Sequence, residues 1–364
     1  MPNPMRYLVV PSKETEKWRD FLISNDWLER GYNIQKENEQ RALPLSDLFP
    51  EILPPLLSKF KIIEKVTSAP LPSNYLGFLK EKIGENILKK YAQYWPQSFD
   101  QIGEIIIVKI DEHIEKYATE IAEALLLQNN NSTRVFQDLG VKGDFRIRNL
   151  KLIGGSKELK GETKVKENGA EFIVDPTKGY YSPRLATERL QTLECAIILK
   201  KQLGRGLNVC DAYAGFGPAL MPFFIEKGLV NHILANDLNP EITLLLEKNI
   251  IKNNKEDISV NIKCEDAKNL ILDVENKGFY DLLLVNIPHS TLEHLPSLIG
   301  LLNRGSSSLL RAWCIIDSNK ISEVKTEINK MFNSQTFAIS KLIVEPTRTY
   351  SPTQVYAKIE VWIN

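Results

Sequence analysis

The features that fix a protein's class at a glance are scarce in this chain. Its 364 residues hold four cysteines, Cys195, Cys210, Cys264 and Cys314, widely spaced in apolar contexts and never as a Cys-x-x-Cys pair. That excludes a disulfide framework and a thiolate metal knuckle, so buried free thiols are expected. No cluster with metal-ligand spacing appears, and no metal is expected. Excess charge is missing too, since 46 Lys and Arg balance 46 Asp and Glu. There is no global field to draw in a polyanion, and any nucleic-acid surface must be local. No apolar run approaches the ~20 residues of a membrane span. The opening MPNPMRYLVVPSKETEKW lacks a signal-peptide core or an Arg/Ser-rich, acid-poor transit pattern. A cytoplasmic protein with no membrane partner is expected.

What is present is an ordinary globular balance, 43% hydrophobic and 25% charged, in a chain longer than a typical domain of roughly 100–200 residues. Two or three domains are expected. One window is locally basic, with eight Lys and Arg between Lys142 and Lys166 against Asp144, Glu158 and Glu162. Phosphate contact and a solvated strand edge both fit that composition.

RYLVVP reads as a strand and KETEKWRDFLISN as an amphipathic helix, opening a small α+β module. Proline-rich LPLSDLFPEILPPLL and APLPSNYL place a boundary between them. FLKEKIGENILKKYAQYW predicts a helix, GEIIIVKI a buried strand and DEHIEKYATEIAEALLLQ a second helix, and the window 142–175 predicts a hairpin platform. ATERLQTLECAIILKKQL predicts a helix leading into alternation: LNVCDAY, PALMPFFIEKG, NHILAND, EITLLLEKNIIKN, ISVNIKC, DLLLVNI and a helix after Pro288. Apolar strands alternating with helices predict a parallel sheet covered on both faces.

Asp211-Ala212-Tyr213-Ala214-Gly215-Phe216-Gly217 sits between a strand and a predicted helix, where backbone amides converge on a ligand. A tight turn needs the same glycines. Asp237 ends the next strand, 20 residues after Gly217, where a carboxylate accepts both hydroxyls of a ribose. A nicotinamide enzyme has this spacing as well. Against it, Leu220 stands where the third dinucleotide glycine would be, and Asp211 is placed to hold an α-amino group. Asp266 ends the third strand, as an adenine acceptor or a helix cap. Asn286-Ile287-Pro288-His289 ends the fourth, as a ligand contact or turn chemistry. In this order the four elements form the class I S-adenosylmethionine-dependent methyltransferase pattern.

Upstream, Gly143-Asp144-Phe145-Arg146-Ile147-Arg148, then Lys166-Glu167-Asn168-Gly169, then Tyr180-Tyr181-Ser182-Pro183-Arg184-Leu185-Ala186-Thr187-Glu188-Arg189 exceed what a generic methyltransferase needs. Together they resemble the archaeal and eukaryotic-type tRNA (guanine-37-N1)-methyltransferase family over essentially the whole chain. The resemblance implies an α/β protein. It would have a Rossmann-like class I methyltransferase domain at 176–364, a middle α+β platform at 72–175 and a small N-terminal α+β domain at 1–68 that checks tRNA shape. It implies S-adenosylmethionine held by Asp211, Tyr213, Gly215, Gly217, Asp237, Leu238, Asp266, Ala267 and Asn286. It also implies Glu188 as general base, Arg146 stabilising O6, Asn286 at the reacting base, and Tyr180, Arg148, Arg184 and His289 as substrate contacts. The partner implied is a tRNA bearing G37, gripped at the anticodon loop and the outer corner of the L by a monomer. Two stretches depart from the family form, Asn-Ile-Pro-His for Asn-Leu-Pro-Lys and the strand SSSLLRAWCIID. A wyosine-pathway relative, transferring an aminocarboxypropyl group or methylating carbon of the tricyclic base at position 37, is the alternative. A non-catalytic RNA-binding protein is disfavoured by the intact Asp211 to Asp237 set.

Overall fold

The computed structural model describes residues 4–29, 32–66, 72–142, 147–159 and 161–364. Residues 143–146 of the basic window, Arg146 among them, lie outside the described residues. The chain divides into two compact units, Met1–Trp95 with Asp111–Asn130, and Pro96–Ile110 with Asn131–Asn364. Residues 72–175 are shared between them.

In the first unit, β1 (Pro4–Pro11), β2 (Gln35–Glu37), β3 (Gln40–Pro44) and β4 (Lys61–Val66) form an antiparallel sheet in the order β2-β3-β1-β4. Helix α1 (Thr15–Ser24) buries Trp18 and Leu22 in a cluster with Leu8, Val10 and Leu43. Strand side chains alternate, so Tyr7 and Val9 pack in a separate cluster. The single helix expected over 78–95 is two, α2 (Tyr75–Ile83) and α3 (Glu85–Lys90), followed by α4 (Ala118–Gln128). Gly84 divides the first two at φ 83°, a left-handed conformation that ends a helix and that side-chain-bearing residues resist.

The second unit opens with a sheet ordered β5-β6-β7-β8, made of β5 (Phe99–Ile102), β6 (Ile105–Val108), β7 (Arg134–Lys142) and β8 (Ile147–Gly155). The hairpin β9 (Thr163–Glu167) and β10 (Ala170–Val174) precedes α5 (Ala186–Leu203). Then come β11 (Leu207–Asp211), β12 (Val230–Asn236), α6 (Pro240–Asn253), β13 (Ser259–Lys263), β14 (Leu282–Val285), α7 (Thr291–Leu298), β15 (Ser308–Asp317), α8 (Ile321–Ser334), β16 (Ile339–Thr349) and β17 (Gln354–Ile363). They form a seven-stranded sheet, β13-β12-β11-β14-β15-β17-β16, parallel through β15, with β17 antiparallel to both neighbours.

Period-two alternation explains why both faces are covered. Leu207, Val209, Leu282 and Leu284 join one apolar cluster with residues of α5 and α6, and Cys210, Leu283 and Val285 join another with α7 and α8. The helix expected over PALMPFFIEKG is reduced to a 3-10 turn, Met221–Phe224. Pro222 lacks an amide hydrogen and its ring clashes with the carbonyl four residues back, so an α-helix cannot propagate there.

A buried ion pair ties the β9–β10 hairpin to α5. Arg189 Nε and Nη2 donate to Glu167 Oε1 and Oε2, both at 2.5 Å, and the Tyr181 hydroxyl donates to Glu167 Oε2 at 2.7 Å. The two side chains are 8% and 7% exposed. Removing one partner strands the other as a buried charge, which typically costs about 3–5 kcal/mol. Glu167→Ala is therefore expected to lower the urea midpoint markedly, and pairing it with Arg189→Met to recover part of that loss.

Candidate cofactor and base site

Strand order reverses between β11 and β14, so the crevice beyond their carboxyl ends is where an open α/β sheet places its ligand. Asp211 ends β11 and Asn286 follows β14. Behind them, buried Asn236 at the end of β12 donates to the carbonyls of Ala212 at 3.1 Å and Glu265 at 3.0 Å, and accepts from the Glu265 N–H at 3.2 Å. It thereby holds three chain segments at one height.

The glycines in the turn do different work. Gly215 has φ 56° with open space where a Cβ would stand, leaving room for a ligand against the backbone. Gly217 has φ 82°, and a Cβ there would meet Leu246 Cδ1 at 2.7 Å and Met221 Cε at 2.8 Å. Asp237 is held by the N–H groups of Gly215 at 2.9 Å and Asn239 at 3.0 Å, one on each oxygen. Each oxygen keeps a lone pair for a ribose hydroxyl. Burial raises the Asp237 pKa, against the lowering effect of those two N–H bonds.

Asp211 is 3% exposed. Burial lifts its pKa to about 7, with the neighbouring Asp237 charge adding to the shift and the Tyr213 N–H opposing it. That N–H donates to Oδ1 at 3.3 Å, leaving Oδ2 for a ligand. A buried acid beside a half-buried one could hold a cationic group and hydroxyls, the chemistry that the α-ammonium and ribose of S-adenosylmethionine would supply. At the third strand end Asp266 caps the 3-10 helix Ala267–Leu272 through the Lys268 N–H at 3.0 Å. The cap is thus realised, and buried Ala267 lies in the core beside it. Leu238 is exposed next to Asp237.

Glu188 stands in the first turn of α5, where Oε2 accepts from the Trp313 indole N–H at 3.0 Å. Asn286 Oδ1 accepts from the Tyr356 hydroxyl at 3.2 Å. Glu188, Asp211, Tyr213 and Asn286 line one cleft, with Trp313 and Tyr356 in its wall. A larger open groove beside Lys268, Lys277 and Arg304 contains none of the expected site residues.

The expected substrate contacts lie outside that cleft. Arg148 donates twice to Asp100 Oδ2, at 3.1 and 3.0 Å, and Arg184 donates to Oδ1 at 2.7 Å. The Arg148 guanidinium also lies 5.9 Å from the centre of the half-exposed Tyr180 ring. His289 is exposed and lies 3.5 Å from the Tyr350 hydroxyl. Sequence reasoning missed Asp100, Asn236, Trp313, Tyr356 and the Glu167–Arg189 pair. The only signal for Trp313 was its place in a strand that departs from the family form.

The sheet order, with its last strand inserted antiparallel, and the paired acids at the switch point define a Rossmann-like class I methyltransferase rather than a dinucleotide fold of order 3-2-1-4-5-6. Family models match in two places, the TYW2 N-terminal domain over residues 78–158 and the TRM5/TYW2 methyltransferase domain over residues 163–311. The chain is 31% identical over 296 residues to the tRNA (guanine(37)-N(1))-methyltransferase Trm5b of Pyrococcus abyssi, covering 80% of this chain and 79% of that one. It is 31% identical over 310 residues to Trm5b of Methanocaldococcus jannaschii, covering 82% and 83%. The crystal structure of wild-type Trm5b from Pyrococcus abyssi superposes with a TM-score of 0.69 at 26% identity, over 99% of both chains. A complex of aTrm5 with tRNALeu superposes at 0.69 and 25% identity, over 98% of this chain and 99% of that one. The chain belongs to the tRNA (guanine(37)-N(1))-methyltransferase family.

The Asp211 shift has two consequences of opposite sign. A cation binds the ionised carboxylate, so affinity for S-adenosylmethionine is expected to fall as pH drops below about 7, approaching tenfold per unit. Titration calorimetry across pH 6–8 reads this directly. In the ligand-free chain the folded pKa lies above the ordinary 3.8, so the folded state binds the proton more tightly and stability declines as pH rises from about 4 to about 7. Asp211→Asn is therefore expected to raise the melting temperature of the ligand-free chain at pH 8 while abolishing cofactor affinity.

Proposed function

We propose that this chain methylates N1 of guanine 37 in tRNA, with S-adenosylmethionine as donor. The observation that carries this reading is the convergence of Glu188 and Asn286 with Asp211 on one cleft at the sheet's switch point. A proton acceptor and an amide there face the place where the methyl donor would lie. The cofactor supplies a methyl group on a sulfonium, activated toward a nucleophile. Guanine N1 is a poor nucleophile while it holds its proton, and as the proton leaves, negative charge gathers on O6. Glu188 Oε1, which has no hydrogen-bond partner among the described residues, takes that proton. Asn286 offers its amide to the ring edge, and Arg146, assigned by family resemblance, offsets the charge on O6. Tyr180 gives an exposed face for stacking of the extruded base.

Neutral net charge fits recognition of a folded RNA by shape and local contacts. Asp100 holds Arg148 and Arg184 in fixed positions until an RNA phosphate competes for them. In functional terms, residues 1–68 serve tRNA shape recognition, 72–175 the platform and 176–364 catalysis, in a cytoplasmic monomer.

With labelled cofactor, the purified chain is expected to modify a transcript bearing G37 and to ignore one bearing A37. Nucleoside mass spectrometry identifies the product, and an aminocarboxypropyl adduct or an unmodified G37 overturns the reading. Glu188→Gln is expected to keep tRNA and cofactor affinity while single-turnover rates fall by about 10²- to 10⁴-fold.

A further inference from the structure

Two side chains outside the reading above carry their polar ends into the cleft. Trp313 and Tyr356 lie on β15 and β17, where Ile315 is paired with Tyr356 and Trp313 with Lys358. The two aromatics are thus diagonal neighbours on one face of the sheet. They pack with Leu185, just before α5, in a cluster of three buried side chains. Each has one polar group, and each gives it to a residue placed in the chemistry: the indole N–H to Glu188 Oε2 at 3.0 Å, the hydroxyl to Asn286 Oδ1 at 3.2 Å. Both aromatics are held from outside. Thr291 Oγ1 donates to the Trp313 carbonyl at 2.6 Å, and the Arg348 guanidinium lies 4.5 Å from the centre of the Tyr356 ring.

The donors decide which atoms face the cleft. An indole N–H can only donate, so it fixes Oε2 as its acceptor and leaves Oε1 to receive a proton. A side-chain amide has one accepting and one donating end. With Oδ1 engaged by Tyr356, Asn286 presents its N–H groups, which suit the accepting O6 of guanine and oppose the amino group at the same position of adenine.

We propose that Trp313 and Tyr356 form a single aromatic brace that positions Glu188 and Asn286, fixing which carboxylate oxygen takes the N1 proton and turning the amide to select a six-position carbonyl. This rests on the assignment of Glu188 as base, so the test separates the two claims. Single-turnover rates, at saturating tRNA and cofactor, are compared for Trp313→Phe, Tyr356→Phe, Glu188→Gln and Trp313→Phe with Glu188→Gln.

Without the indole N–H the two carboxylate oxygens are no longer distinguished, so Trp313→Phe is expected to lower the rate about tenfold with tRNA and cofactor affinity unchanged. Tyr356→Phe is expected to lower the rate on G37 about tenfold and to narrow the margin over a transcript bearing adenine at 37. In the Glu188→Gln background Trp313→Phe is expected to have no further effect. A wild-type rate for Glu188→Gln overturns the assignment of the base. A severe loss there, with Trp313→Phe either silent or equally damaging in both backgrounds, overturns the brace alone. Should Trp313→Phe fail to fold, the indole N–H resonances of the unaltered chain decide: one must move in Glu188→Gln, and a spectrum in which none moves overturns the brace.

Discussion

The side chain of Asn236 is the joint on which the cofactor half of the site depends. A buried amide in a parallel sheet must satisfy its own polar groups. This one does so by bonding the segments that leave β11 and β13. Asp211 ends β11, Asp237 follows β12 and Asp266 lies shortly past β13, so their relative heights are set by a hydrogen-bonded crosslink rather than by the loops that carry them. The turn with Gly215 and Gly217 then has only one course to follow, past Asp237 and under Leu246.

The cost of this arrangement is electrostatic. Asp211 is buried and Asp237 half-buried, with backbone N–H groups as their donors. Against those donors, burial raises the pKa of both. Glu167 and Asp281, by contrast, each meet an arginine, Arg189 and Arg205 respectively.

Positive surface charge is equally local. The basic window carries no net field beyond its neighbourhood, and its described arginine, Arg148, shares Asp100 with Arg184 from the start of the catalytic part. One carboxylate thus fixes two cations in preset positions.

Much of the fold was legible in the sequence because its signals are local. Apolar runs of strand length separated by helical periods dictate a covered parallel sheet, and the residues just after each strand necessarily meet at one edge, so Asp211, Gly215, Asp237 and Asn286 were readable in order. Two local signals were underweighted: Gly84 and Pro222 break helices that the apolar spacing alone would continue. The base half was legible only through family resemblance, and its supports were not legible at all. Trp313 reaches Glu188 across 125 residues, Tyr356 reaches Asn286 across 70, and Arg148 reaches Asp100 across 48. The sequence by itself determined the sheet and the order of the acids at its strand ends, because strand ends converge wherever strands run parallel. Which distant donor meets which acceptor was decided only in the tertiary structure, because hydrogen bonds depend on register and side-chain direction that no spacing along the chain encodes.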